Sequence, residues 1–242
     1  MLREPNTKSD IRFIDSRFRN GNGGNTNSNF KIDIHRVEGA KKMKVRQANV
    51  VSSEYDINDR NNKLYFTVSA TPYTATLTNG KYGPSALATE IQTAMDAQTS
   101  GNTVSFDTST YKITISRASS FTLDITSTTN AIWEYIGFNG SSDLTATSHT
   151  GTGLVNTTSL YYYVTMDCVR NQKFSKNHPR DTCCFVHNTA SAWGNLLTIT
   201  EPFMVDISQD VIDSIEVKIY NNRGNLIDLE EITVNFELEF FY

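Results

Sequence analysis

No stretch of this 242-residue chain approaches the run of about 20 apolar residues that a membrane-crossing helix needs. Its opening, MLREPNTKSD, has no apolar segment behind the positive charge, so no secretory signal is expected there. Cysteine is scarce and odd in number, at three (Cys168, Cys183, Cys184), which excludes a disulfide-stapled scaffold. Adjacent Cys183 and Cys184 are too constrained to pair with each other in ordinary geometry. Proline numbers only five and histidine four. Charge of neither sign dominates: 22 Lys and Arg stand against 26 Asp and Glu, for a net −4. A glycine-rich phosphate loop, a Gly-x-Ser-x-Gly elbow and a His-Glu-x-x-His pair are all missing.

What the chain does have is bulk and β character. Apolar residues make up 38% and aromatics 11%, enough for a real core and against wholesale disorder. Ser, Thr and Asn supply roughly three residues in ten. The charge is split along the chain. Residues 1–60 hold 12 basic and 8 acidic side chains, and residues 201–242 hold 2 and 10. Arg36, Lys41, Lys42, Lys44 and Arg46 carry much of the positive charge. A nucleic-acid patch is one reading; the one preferred is that the two chain ends lie side by side, or face neighbours in an assembly.

Period-two alternation predicts half-buried strands in several places. Ile32 and Ile34 alternate with Lys31 and Asp33; Leu64, Phe66, Val68 and Ala70 with Tyr65, Thr67 and Ser69. Leu160 to Cys168 and Ile215 to Ile219 repeat the pattern. At the end, Ile232, Val234, Phe236, Leu238 and Phe240 oppose Thr233, Asn235, Glu237 and Glu239. Turns are expected at Asn61-Asn62, Asn79-Gly80 and residues 221–225, with a hairpin turn at Asp107–Thr110. The polar, glycine-rich stretch 20–29 reads as an excursion between the first two strands. Pro84 opens a helix that buries Leu87, Ile91, Ala94 and Met95, with Thr89, Glu90, Gln92 and Asp96 turned away. A second short helix is expected from an Asn130 cap to Gly137.

Cys168, His178, Cys183, Cys184 and His187 are metal-ligand types close in sequence. The only tight pair is adjacent, which suits neither tetrahedral zinc nor a cysteine nucleophile helped by His187. A core Cys168 with solvated histidines is the preferred account, so no metal and no cofactor are expected. Glu230-Glu231 reads as a solvated strand entry rather than an acid–base pair. In Tyr161-Tyr162-Tyr163 the alternation turns Tyr162 inward and Tyr161 and Tyr163 outward. Phe241 likewise falls on the outer side of the last strand. Contact with a neighbouring subunit is the expected role of these aromatics.

Three blocks, in this order, resemble the penton or minor capsid proteins of virophages, polinton-like viruses and related double-stranded DNA viruses. The first is Ile11 to Arg19 (IRFIDSRFR), a Gly/Asn-rich gap, then Asn29 to Ile32. The second holds Leu64 to Val68, Asn79 to Tyr82, the helix through Leu87 and Ile91, Lys112 to Ile115, and Ile132 to Phe138. The third is Ile215 to Ile219, Gly224, Leu229 and Val234 to Phe240. The resemblance implies a mainly all-β fold, a single jelly-roll β-sandwich with a small α+β elaboration, and no catalytic residues. It implies a homopentamer at the five-fold vertices of an icosahedral virion assembled inside the host cell. Its partners would be other copies, the major capsid protein and other minor capsid proteins, with neither a membrane span nor nucleic acid. The expected organisation is a strand and flexible arm over 1–29 and a jelly roll over 30–242, with 63–138 as an inserted block. Arg3, Asp15, Arg17 and Arg19 on the arm, with Tyr161, Tyr163 and Phe241, are the candidate subunit-interface residues. The alternatives are a cement protein between capsomers and a receptor- or carbohydrate-binding β-sandwich; an enzyme using Cys183 and His187 is the remotest.

Overall fold

The computed structural model describes residues 8–20, 28–51, 55–157, 161–170, 181–187, 196–197, 199, 202–227, 229 and 232–242. Its strands, in chain order, are β1 (Ser9–Asp15), β2 (Asn29–Glu38), β3 (Lys42–Val51), β4 (Lys63–Val68), β5 (Thr71–Thr76), β6 (Asn102–Asp107), β7 (Lys112–Leu123), β8 (Leu144–Thr150), β9 (Tyr161–Met166), β10 (Thr182–His187), β11 (Leu196–Leu197), β12 (Met204–Asp206), β13 (Val211–Asn221) and β14 (Asn235–Phe241). One α-helix, α1, spans Pro84–Asp96. The chain divides into two compact units, Met1–Glu54 with Ser159–Tyr242, and Tyr55–Thr158. The second contains the whole 63–138 stretch and is wider than it. No helix among the described residues is long and apolar enough to cross a membrane.

In the first unit, one sheet runs β1-β14-β3, with β11 and β12 both pairing on β3. The other runs β10-β9-β13-β2. Counting only this unit's strands in chain order, with β11 and β12 as one position, the sheets read first-eighth-third-sixth and fifth-fourth-seventh-second. That interleaving, with the first and last strands adjacent, is a jelly roll. All its pairings are antiparallel. The alternating residues explain the closure. Ile14, Met43, Val45, Phe236, Leu238 and Phe240 come from one sheet and join Phe30, Ile32, Val164, Met166, Val217 and Ile219 of the other in a single buried cluster. Sheets with one apolar face each are stable only when those faces cover one another.

The basic and acidic chain ends do lie together. β14 sits between β1 and β3, and Arg46 of β3 bridges Glu237 (2.9 Å) and Glu239 (3.8 Å) of β14. Lys41 reaches Asp210 at 3.4 Å. The last strand is shorter than its alternation predicts, beginning at Asn235 rather than Ile232. Its ladder stops where β1 ends, because Ser16 takes over the pairing. The Ser16 N–H donates to Val234 O (2.9 Å), and the Val234 N–H donates to Ser16 Oγ (3.0 Å).

The second unit has its own sheet, β5-β4-β7-β6, with β8 also on β7. Its own core gathers Leu64, Phe66, Ile113, Ile115, Phe121 and Leu123 with the buried face of α1. The helix forms where the sequence predicts. Glu90, Gln92 and Asp96, however, do not simply face solvent: they accept the backbone N–H groups of Thr78 (2.7 Å), Val104 (3.0 Å) and Asn102 (3.0 Å). The hairpin turn at Asp107–Thr110 joins β6 to β7 as expected. Asn79-Gly80 is not a hairpin turn; Gly80 pairs with Ile57 in an isolated bridge. The tight turn between β4 and β5 lies instead at Ser69-Ala70, with φ of 49° and 64°. A two-residue turn of that hand usually carries Asn or Gly, so Ser-Ala disguised it as continuing strand. Asn130 is not a helix cap either. The 3₁₀ turn Trp133–Ile136 starts from Ile132 and closes, as predicted, on a left-handed Gly137 (φ 80°). A Cβ on Gly137 would meet Gly153 O at 2.3 Å, so both backbone hand and close approach require glycine.

Candidate assembly surface

The thiols bear on the enzyme alternative, the remotest of the readings. Cys168, Cys183 and Cys184 are all 0% exposed. Burial pushes the Cys168 thiol up to about 12. It raises Cys183 as well, whose Sγ donates to Val164 O at 3.2 Å. A reactive cysteine needs the opposite environment, exposed and with its thiolate favoured. His187 is exposed at the end of β10, paired with Tyr161. His178, Glu230 and Glu231 lie outside the described residues. Among those described, no group of three or more His, Cys, Asp or Glu side chains comes together as metal ligands would. In the second unit a cavity of about 280 Å³ is bordered by Ile125, Trp133 and Phe138. Trp133 and Phe138 are only 4% and 3% exposed, so neither presents a ring face on which a sugar could stack.

The expected interface residues separate into three groups. Arg3 lies outside the described residues. Asp15 and Arg17 pair with each other at the turn after β1, and Arg19 bonds to the backbone of the same turn. The Arg17 backbone N–H donates to Asp15 Oδ1 (2.9 Å), and its guanidinium reaches Oδ2 at 2.6 Å. These contacts hold the Asp15 carboxyl below the usual carboxylate range, the Arg17 side-chain hydrogen bond contributing most. Arg19 donates to Ser16 O at 3.0 Å. Asp15 and Arg19 are thus partly spent on shaping the turn, while Arg17 still shows two thirds of its side chain to solvent.

The aromatics differ from one another. Tyr161 is half-buried, edge-on to Phe185 at 5.9 Å. Tyr163, expected to stand outward and open, is covered by its own chain: it is 2% exposed and stacks on Tyr220 at 5.3 Å and 15°. Alternation gives the face of a sheet, and here the neighbouring strand β13 supplies a second ring that closes over that face. Phe241 is half-buried on the outer side of β14, in register with Ser9 and Lys42.

Sequence reasoning missed three exposed apolar side chains among the described residues of this unit. Phe13 is 76% exposed, Phe18 72% and Ile11 39%, all on β1 or the 3₁₀ turn Ser16–Phe18. Alternation alone would send Ile11 and Phe13 inward. The structure buries Ile14 instead and turns Asp10 and Arg12, which form an ion pair, to the same side as Ile14. The available signal was that β1 has apolar residues on both faces, so one face had to stay outside. Across the same sheet Met204 of β12 is 51% exposed.

No protein-family model matches the chain, and no curated protein matches it. Among solved structures, the chain is similar to the penton protein of mavirus, with a TM-score of 0.48 and 8% sequence identity over 97% of this chain and 99% of that one.

Proposed function

We propose that this chain is a non-enzymatic structural subunit of an icosahedral viral capsid, placed at the five-fold vertices as a homopentamer. The observation that carries the reading is the strand order of the first unit, a single jelly roll closed by its own first and last strands. Jelly rolls serve in capsids and also in lectins and cupins, so fold alone does not assign the role. The ordered resemblance of three sequence blocks to penton or minor capsid proteins and the apolar side chains left outside on β1 favour the capsid. Part of the positive charge near the N-terminus is answered within the molecule, Arg46 by Glu237 and Glu239 and Lys41 by Asp210, which disfavours the nucleic-acid patch. Other copies of this chain and the major capsid protein are the partners on this reading, and the virion is its location.

Particle reconstruction is the deciding experiment. Density for this chain at the vertices is the expected result. Density between capsomers would make it a cement protein, and absence from purified particles would overturn the capsid reading altogether.

A further inference from the structure

Asn-Gly occurs four times in the chain, beginning at Asn20, Asn22, Asn79 and Asn139. Gly21 and the pair Asn22-Gly23 lie outside the described residues. Asn79-Gly80 and Asn139-Gly140 are both described, and both asparagines are exposed. The two pairs differ in how they are held. At Asn79 the side-chain amide is tied at both ends: Nδ2 donates to Asp59 Oδ1 at 2.8 Å, and Oδ1 accepts from Asn62 Nδ2 at 3.1 Å. The Gly80 N–H donates to Ile57 O at 2.9 Å, and Ile57 is fully buried. Asn139-Gly140 belongs to no helix or strand. Neither the Asn139 side chain nor the Gly140 N–H makes a hydrogen bond to a described residue. The Asn139 amide rests over Gly153, where a Cβ would stand 3.2 Å from Nδ2.

These are the conditions for an intramolecular reaction. A backbone nitrogen free of hydrogen bonds can lose its proton to base and attack the side-chain carbonyl of the residue before it. Glycine in the following position, lacking a Cβ, leaves that nitrogen unhindered and the backbone free to turn toward the carbonyl. A hydrogen-bonded pair must first open locally, which cuts the reactive population. We propose that Asn139-Gly140 modifies itself in the folded protein, converting through a cyclic imide to aspartate and isoaspartate, while Asn79-Gly80 stays intact. The Gly140 nitrogen bonds to Asn139 Cγ, the Cγ–Nδ2 bond breaks, and ammonia leaves with the proton that Gly140 gave up. Water then adds to one of the two imide carbonyls. Opening at one gives aspartate and at the other isoaspartate, with no change of oxidation state. Either product sets a new carboxylate beside Glu134 at the rim of the cavity bordered by Trp133 and Phe138. Isoaspartate also adds one backbone carbon directly after Phe138, which is 3% exposed and edge-on to Trp133 at 5.9 Å. The reaction stands apart from the capsid reading, because it needs only the folded chain and water.

The test is peptide mapping by mass spectrometry on the full-length wild-type protein, aged in mildly alkaline oxygen-18 water. The expected result is progressive conversion of the Asn139 peptide into two chromatographically distinct products, each carrying one heavy oxygen. The Asn79 peptide should convert at least about tenfold more slowly, since its bonds must open first. In denaturant the two rates should converge, because the bonds that hold Asn79 are gone. Gly140→Ala should slow the Asn139 reaction about tenfold by crowding the attacking nitrogen; its Cβ would meet Ile125 Cδ1 at 2.9 Å, the movable end of a side chain. Asn139→Gln should remove both products. An Asn139 peptide that stays intact in the native protein overturns the inference, as does a native rate ratio below about tenfold. An Asn79 peptide still slow in denaturant overturns it too, since local sequence rather than folding would then set the contrast.

Discussion

Asp107 accepts hydrogen bonds from the backbone N–H and hydroxyl of both Ser109 (2.8 and 2.6 Å) and Thr110 (3.4 and 2.8 Å). These bonds favour the ionised carboxylate, with Ser109 contributing most, and lower its pKa to about 2. A folded-state value below that of the unfolded chain, about 3.9, means that ionised Asp107 favours the fold at pH above 4. The contribution fades as the pH falls from 4 to 2. The group is solvent-exposed, so the effect is local to the turn. Carbon-13 titration of the side-chain carboxyl should give a midpoint near 2, and Ser109→Ala with Thr110→Val should move it back toward the ordinary value. A wild-type midpoint near 4 would mean the turn is open in solution. The cysteines yield a second prediction at this scale. With Cys168, Cys183 and Cys184 all buried, a thiol reagent should label none of them in the native protein and all three after denaturation. Prompt labelling of any one under native conditions would contradict the packing of β9 and β10.

Between β3 and β14 the relevant unit is the cross-strand pair rather than the residue. Arg46 is 44% exposed on its side chain, and Glu237 and Glu239 are 20% each. Partly exposed pairs of this kind are worth at most about 1 kcal/mol. Arg46→Glu places three carboxylates together and should lower stability by about 1 kcal/mol, read as a shift in denaturation midpoint. Adding Glu237→Lys should restore part of the loss. Additive effects in that double-mutant cycle would show that the two side chains do not interact. The buried faces of these strands were legible in sequence, because Phe236, Leu238 and Phe240 alternate strictly with Asn235, Glu237 and Glu239. The faces of β1 were not. With Ile11 and Phe13 on one side and Ile14 on the other, period two does not say which side is the core. The decision is made by β14, which receives Ile14 into a layer already filled by its own apolar residues. Strand ends were similarly hidden, since Ser16 stops the last ladder through a partner 218 residues away in sequence.

At the scale of the whole molecule, the jelly roll was foreseeable only through the order of several weak signals. No single strand specifies that the first must lie beside the last. Opposite charge at the two ends pointed that way, and Arg46 with Glu237 and Glu239 is its physical outcome. The extent of the second unit was less visible, because its boundary strands are polar on one side and its β4–β5 turn uses Ser69 and Ala70. Yet that unit has what independent folding requires. It has a sheet with internal pairing, a helix whose buried face covers it, and a core of which Leu64, Phe66, Leu87, Ile91, Ile113 and Ile115 are each 0% exposed. A chain of about this length is within the usual range for a domain. Residues 55–158 expressed alone should therefore unfold cooperatively, with dispersed amide resonances and near-ultraviolet dichroism from Trp133, the only tryptophan of the fragment. Phe66→Ala should cost this fragment about 3–5 kcal/mol, as emptying a filled core position does. A fragment with a collapsed amide spectrum would show that its core depends on residues of the jelly roll, and 55–158 would then be an extension of that sandwich rather than a domain set into it.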